Sequence, residues 1–253
     1  MPLDRSLRRV VALAAAGALS LSACGGSTAE GGAERNPAQL PQGSEPVRLD
    51  PADFTVHVTN RYWPMKPGDR WVYEERDLNG AVTRDEVTVL DRTEKINGIE
   101  TLVVHDVATQ GGATVEDTTD WYAQDAGGNL WYLGEQTTSF ENGRPSSTEG
   151  SWKYGEDGAQ AGIALPAGPA PGLRYRQEFL EGQAEDRAIV LSTNEQAQTP
   201  TGHYRDALLT RDTTPLEPDL VELKWYAPGV GPVQTVTPSG EQSWEQLVQG
   251  PGS

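Results

Sequence analysis

Between Glu116 and Glu135 the chain concentrates side chains that could do chemistry. Glu116, Asp117, Asp120, Asp125, Asn129 and Glu135 are interleaved with Trp121, Tyr122, Trp131 and Tyr132. On a strand, alternation puts Asp120 and Tyr122 on one face and Trp121 and Ala123 on the other. Exposed rings beside carboxylates suit a sugar: the ring covers its apolar face and the carboxylates accept its hydroxyl hydrogens. Asp120, Trp121, Tyr122, Asp125, Asn129, Trp131 and Glu135 are therefore the candidate binding residues. Two of the carboxylates, suitably spaced across a cleft, could also hydrolyse a glycosidic bond. Asp125, Asn129 and a neighbour could supply oxygens to a calcium ion. The plainer alternative makes Trp121 and Trp131 core residues and Asp125–Asn129 a hairpin turn, where Asp and Asn are favoured by local hydrogen bonding.

Other catalytic signatures are missing. His57, His105 and His203 lack metal-ligand spacing, and His105 alternates with Val103 and Val107 as a half-buried sheet residue would. No Gly-x-Ser-x-Gly elbow occurs. The glycines near Gly111 and Gly127 fall between strand-like runs, as turns do, and not before a helix as phosphate loops do. The sequence thus points to a non-enzymatic protein with no metal and no dissociable cofactor.

The one cysteine has a different use. Arg5, Arg8 and Arg9 precede the apolar run Val10 to Leu21, and Leu21-Ser22-Ala23-Cys24 closes it. A basic stretch followed by about a dozen apolar residues is the layout of a cleaved export signal, too short to stay as a membrane span. The four residues ending at Cys24 resemble the lipobox of bacterial lipoprotein signal peptides. That resemblance implies cleavage before Cys24 and its acylation through sulfur, with a further acyl chain on the new amine. It implies residues 1–23 as signal, and an extracytoplasmic domain anchored to the cell membrane by lipid. Two acyl chains suffice for stable anchoring, at about 0.8 kcal/mol per buried methylene.

A single cysteine excludes any intramolecular disulfide, so the fold must hold by its core. The net charge of −17 becomes −19 once the signal's one acid and three bases are removed. Only Lys66, Lys95, Lys153 and Lys224 are lysines, and no basic cluster exists. This charge balance argues against nucleic acid and against an electrostatic grip on anionic lipid.

These side chains must be held by strands. Residues 24–51 are Gly, Ala, Pro, Ser and Glu with little to bury, which predicts a disordered tether after Cys24. From 52 to 250 the pattern is strand-like, with no long run of apolar residues at helical spacing. Trp71 and Tyr73 lead to Asn79-Gly80, Val87–Leu90 follows, and Asn97-Gly98 turns the chain into Leu102–Val107. Asn-Gly between apolar runs signals type I′ hairpins. Later strands are expected at 174–179, 188–191, 203–210, 221–226, 233–237 and 244–248. The whole reads as one all-β domain, a curved antiparallel meander or a half or closed barrel. The Gly/Pro-rich stretch Gly155 to Gly172 is too long for a hairpin loop. Its apolar centre at Ile163 and Leu165 is expected to fold over an end of the sheet as a lid.

Trp121-Tyr122-Ala123 recurs as Trp225-Tyr226-Ala227, each copy followed by a glycine turn and a new strand. The opening run Pro64-x-x-x-Gly68-x-x-Trp71-x-Tyr73 and the closing run Tyr226-Ala227-Pro228-Gly229-Val230-Gly231 resemble motifs of a set of bacterial lipoproteins frequent in actinobacteria. The resemblance implies a curved antiparallel sheet similar to the half-barrels of lipid carriers. It brings no catalytic residues. A non-enzymatic domain binding a lipid, another apolar molecule or an envelope partner is the expectation. Carbohydrate recognition at the Trp121–Trp131 hairpin is the alternative.

Overall fold

Turn chemistry sets the hairpins. Asn97 and Gly98 take φ of 46° and 86°, the pair of positive angles that a two-residue type I′ turn requires. Asn79-Gly80 differs from the expectation, because only Gly80 is left-handed there (φ 81°). The Asp77 carboxylate instead accepts from the backbone N–H groups of Asn79 and Ala81, both at 2.8 Å. An aspartate at the first turn position makes the turn one of four residues.

The computed structural model describes residues 40–240 and 242–252. Sixteen strands follow a single 3-10 turn at Pro51–Asp53. They are β1 (Phe54–Thr55), β2 (Arg70–Asp77), β3 (Val82–Ile96), β4 (Ile99–Gln110), β5 (Ala113–Asp125), β6 (Leu130–Glu141), β7 (Arg144–Ser147) and β8 (Trp152–Lys153). The second half holds β9 (Gln160–Leu165), β10 (Arg174–Arg176), β11 (Glu178–Phe179), β12 (Arg187–Thr199), β13 (Gly202–Thr213), β14 (Val221–Ala227), β15 (Gly231–Ser239) and β16 (Ser243–Gln249).

The protein is all-β, a single antiparallel sheet rolled into a nearly closed barrel. The path around it runs β10-β12-β13-β14-β15-β16-β2-β3-β4-β5-β6-β9-β11. Most neighbours are consecutive hairpins. The exception that joins the two halves is β16 on β2, where Leu247 lies opposite Tyr73. The edges of the path, β10 and β11, are separated in sequence by Gln177 alone. One short segment therefore pairs with β12 on one side and β9 on the other, and the barrel closes there. Near closure leaves only short edge strands, which limits pairing with another chain.

Trp71, Ile99, Leu102, Leu130, Leu133, Ile163, Leu165, Leu208 and Leu247 are among the fully buried side chains. Trp71 Nε1–H donates to the Val230 carbonyl at 2.7 Å and the Tyr73 hydroxyl to that of Pro232 at 3.1 Å. The opening and closing motifs thus hold each other, though their strands are not neighbours.

Two expectations are corrected. Of the stretch assigned to a tether, residues 40–51 lie on the barrel: Leu40, Val47 and Leu49 pack against the core, and the Arg176 N–H donates to the Pro41 carbonyl at 2.6 Å. Arg176 supplies the donors that a Pro/Gly-rich segment needs to be ordered without secondary structure of its own. Ile163 and Leu165 are not a lid. Both are fully buried within β9, whose alternation was hidden by its small residues. Cys24 and the signal segment lie outside the described residues.

Candidate functional site

The barrel has a lumen, and its wall is polar. A cavity of about 310 Å³ is lined by Asp85, Asp106, Asp120, Glu135, Glu178, Asp186 and Glu245, with Lys224 as the one amine. Tyr73, Tyr122, Tyr132, Tyr226 and Trp63 supply its aromatic surface.

Strand register builds this wall. Residues directly opposite one another share a face, and the pairs Tyr73/Asp85, Val87/Asp106, Val104/Asp120, Tyr122/Tyr132 and Asp120/Glu135 all point inward. Asp85, Asp106 and Asp120 form a staircase. Asp106 lies opposite Val87, two residues beyond Asp85, and Asp120 lies opposite Val104, two residues before Asp106. In a tilted barrel such a diagonal follows the girth of the lumen. On the far wall Lys224 faces Thr235, and Tyr226 faces Pro232.

Aromatic contacts fill one side. Tyr122 and Tyr132 stack at 4.9 Å with their planes 15° apart. Trp63 stands 5.4 Å from Tyr122 and 6.4 Å from Tyr226. The two copies of the Trp-Tyr-Ala echo therefore place their tyrosines against one indole. Below them Trp71, Val89 and Leu102 share the inward face and are buried, so that end is apolar.

Enclosure raises the pKa values of five of these carboxylates, because an ion loses its water there. Asp120 is pushed up to about 7, against a bond from the Tyr132 hydroxyl (2.6 Å) that favours its ionised form. Glu245 is raised to about 7 by enclosure and then by Asp85, and Asp186 to about 6 by enclosure. Asp106 is raised by burial and by its hydrogen bond with Asp85. Glu178, which accepts from Trp152 Nε1 at 2.7 Å, is raised by burial and by Asp186 and Glu135. Lys224 goes up: burial alone would lower it, but Glu222 at 2.8 Å and Asp212 at 3.5 Å outweigh that.

The sequence-derived site residues divide between two places. Asp120, Tyr122 and Glu135 reach the lumen. Trp121 points the other way, 2% exposed, with its Nε1–H on Glu94 (3.1 Å) and the Lys153 ammonium 4.3 Å above its ring. Trp131 is 8% exposed, so neither indole offers the open platform that sugar stacking on this hairpin would need. Asp125 and Asn129 make the turn. The Asp125 carboxylate accepts from Asn129 N–H, Asn129 Nδ2–H and Trp131 Nε1–H at 2.8–2.9 Å, and Asn129 Oδ1 accepts from the Ala167 N–H. Oxygens so engaged face N–H groups, and a calcium site there is not built. His105 bonds Asp117 at 3.0 Å on a half-exposed face.

Asp85, Asp106, Glu178, Asp186, Lys224 and Glu245 are wall residues that the sequence reading did not single out. Their signal was faint: charged residues alternating with apolar ones in strands whose other face is also covered. Glu135 and Tyr132 are three apart yet both face inward, against strict alternation. A β-bulge at Gly134 (φ 145°) takes up the odd residue. A Cβ on Gly134 would stand 2.5 Å from the Trp152 carbonyl oxygen, so a glycine is required. Among the described residues no three of these groups converge on a point suited to one metal ion.

No protein-family model and no curated protein matches the sequence. Among solved structures, the chain is similar to a presumed exported protein of Bacteroides fragilis with a YmcC-like fold. The identity is 16% and the TM-score 0.44, over 76% of this chain and 99% of that one. It is also similar to a presumed lipoprotein of Parabacteroides distasonis, at 14% identity and a TM-score of 0.42, over 76% of this chain and 98% of that one.

Proposed function

We propose that this chain is a non-enzymatic extracytoplasmic lipoprotein, anchored by acyl chains on Cys24, whose barrel binds a small organic cation in its lumen. The observation that carries the reading is the lining: seven carboxylates and one amine around a cavity of about 310 Å³. Cavities of roughly 300 Å³ and above hold small ligands. Ammonium groups are recognised by carboxylates together with aromatic faces, and both are present. The charge is spread around the wall and not gathered at a point, which favours an extended organic cation over a bare metal. An apolar lipid, the expectation from the sequence, would strand these carboxylates without water or counter-charge, at several kcal/mol each.

A polyhydroxy ligand is the second reading. Trp63, Tyr122 and Tyr226 present aromatic surface to the cavity beside its carboxylates, and a sugar could stack on the rings while its hydroxyls donate to the carboxylates.

Calorimetric titration of the acyl-free domain with tetramethylammonium, putrescine and glucose, at pH 8 and pH 5.5, tests both. A cation that binds at pH 8 and weakens at pH 5.5, as the carboxylates take up protons, supports the first reading. Glucose binding indifferent to pH supports the second. Binding of neither class, with a rise in fluorescence of an apolar probe, overturns both. The anchor is tested separately: Cys24→Ser should release the protein from the membrane fraction or leave it uncleaved.

A further inference from the structure

The barrel closes at one seam, and a segment outside the sheet packs on it. Between β10 and β11 the chain changes partners within three residues, and the Arg176 N–H finds its acceptor not on a strand but on Pro41. The Arg176 side chain, 1% exposed, joins three pieces of chain. Its Nη1 donates to the carbonyls of Gly43 and Glu45, the latter at 2.8 Å, and its Nη2 to the carbonyl of Ala161 in β9 at 2.8 Å. Gln42 Nε2–H adds a bond of 2.5 Å to the Arg174 carbonyl in β10. The segment holds its own shape through the Glu45 carboxylate, which accepts from the Gln42 and Gly43 N–H groups at 2.5 and 2.8 Å.

Arg176 sits there without a carboxylate against its guanidinium, and its Nε–H is buried without an acceptor. Such a group costs free energy to keep from water. At Arg176 the segment is held through its carbonyls, beside the packing of Leu40, Val47 and Leu49 on the core. The next two residues, Gln177 and Glu178, are cavity wall. Lifting the segment from Arg176 would remove the seam's outer bonds next to these wall residues.

We propose that residues 40–50 are a latch on this seam, and that its docking on Arg176 controls access to the lumen. The latch follows Cys24 in the chain, so the anchor and the gate lie on the same segment. This rests on the lumen being the binding site, and it concerns how that site is reached.

Hydrogen exchange on the full-length protein tests it without any ligand. Gln42→Ala with Glu45→Ala alters only exposed side chains and should leave the barrel folded. The expected result is exchange about tenfold faster at residues 174–179, as for the loss of one or two hydrogen bonds, with β3 and β4 unchanged. Arg176→Lys, which keeps the charge but loses the fork, should do the same. In a binding assay with putrescine the variants should associate and dissociate faster at similar affinity. Faster exchange confined to residues 40–50, with the seam as protected as before, would overturn the latch. A seam that opens in a protein that binds no cation would leave the latch standing and remove the proposed ligand.

Discussion

A Cβ atom on Gly162 would stand 2.3 Å from the carbonyl carbon and oxygen of Gln177 and 2.6 Å from the oxygen of Arg176. Nothing but hydrogen fits between β9 and the segment that closes the barrel. Gly162→Ala should therefore force the seam apart, at about 3 kcal/mol or more. Gly168→Ala, with open space around it, should be close to neutral. Urea unfolding of the two variants checks this, and a Gly162→Ala midpoint equal to the parent's would show that the seam yields without strain.

Trp71 and Trp121 are both core, on opposite faces of the sheet. Truncating either to Ala should cost roughly 3–5 kcal/mol, so both variants should melt early. Trp71→Phe keeps the ring but strands the Val230 carbonyl and should cost about 1–2 kcal/mol. A Trp121→Ala protein as stable as the parent would mean that the indole is not buried as described.

Stability should fall as pH rises from 5.5 to 8. The folded pKa values of Asp120 and Glu245, about 7, and of Asp186, about 6, lie above the ordinary carboxylate value near 4. Between those limits the folded state binds more protons than the unfolded one. The stability they confer is complete below about pH 4 and is lost as pH climbs through 6 to 7. Lys224, raised above its own ordinary value, loses its contribution only in strong alkali. The urea midpoint should be lower at pH 8 than at pH 5.5, and Asp120→Asn should flatten the slope. A midpoint that rises over this range would show these groups to be ionised and well solvated.

Lys224→Met leaves Asp212 and Glu222 without their ammonium. Lys224 is half-buried, which tempers the loss to about 2 kcal/mol at pH 8. The deficit should be smaller at pH 5, because burial raises the Asp212 pKa and a protonated Asp212 does not need the ammonium. An equal deficit at both pH values would point to lost packing alone.

The strands were legible because their pattern is local. Alternation placed the strands at 203–210, 221–226, 233–237 and 244–248 within a few residues of where they lie. The one expected at 188–191 runs on to Thr199, and that at 174–179 is two strands. The Asp125–Asn129 turn, the plainer of the readings offered for that stretch, rests on the same short-range chemistry. The sequence also put Asp120 and Tyr122 on one face and Trp121 on the other, since a period of two needs no knowledge of the neighbours.

Which face became the lumen was decided elsewhere. A strand does not record whether its polar or its apolar side closes inward when both sides end up covered, as they do around Trp121 and Asp120. The carboxylate staircase from Asp85 to Asp120 exists only in the register of β3, β4 and β5. Glu135 joins it only through the bulge at Gly134. Burial of Ile163 depends on the pairing of β9 with β6, where Ile163 lies opposite Trp131, and docking of residues 40–50 on Arg176 joins segments far apart in sequence. Local backbone preference wrote the strands. Closure of the barrel, a long-range event, chose the wall, its charge and its seam.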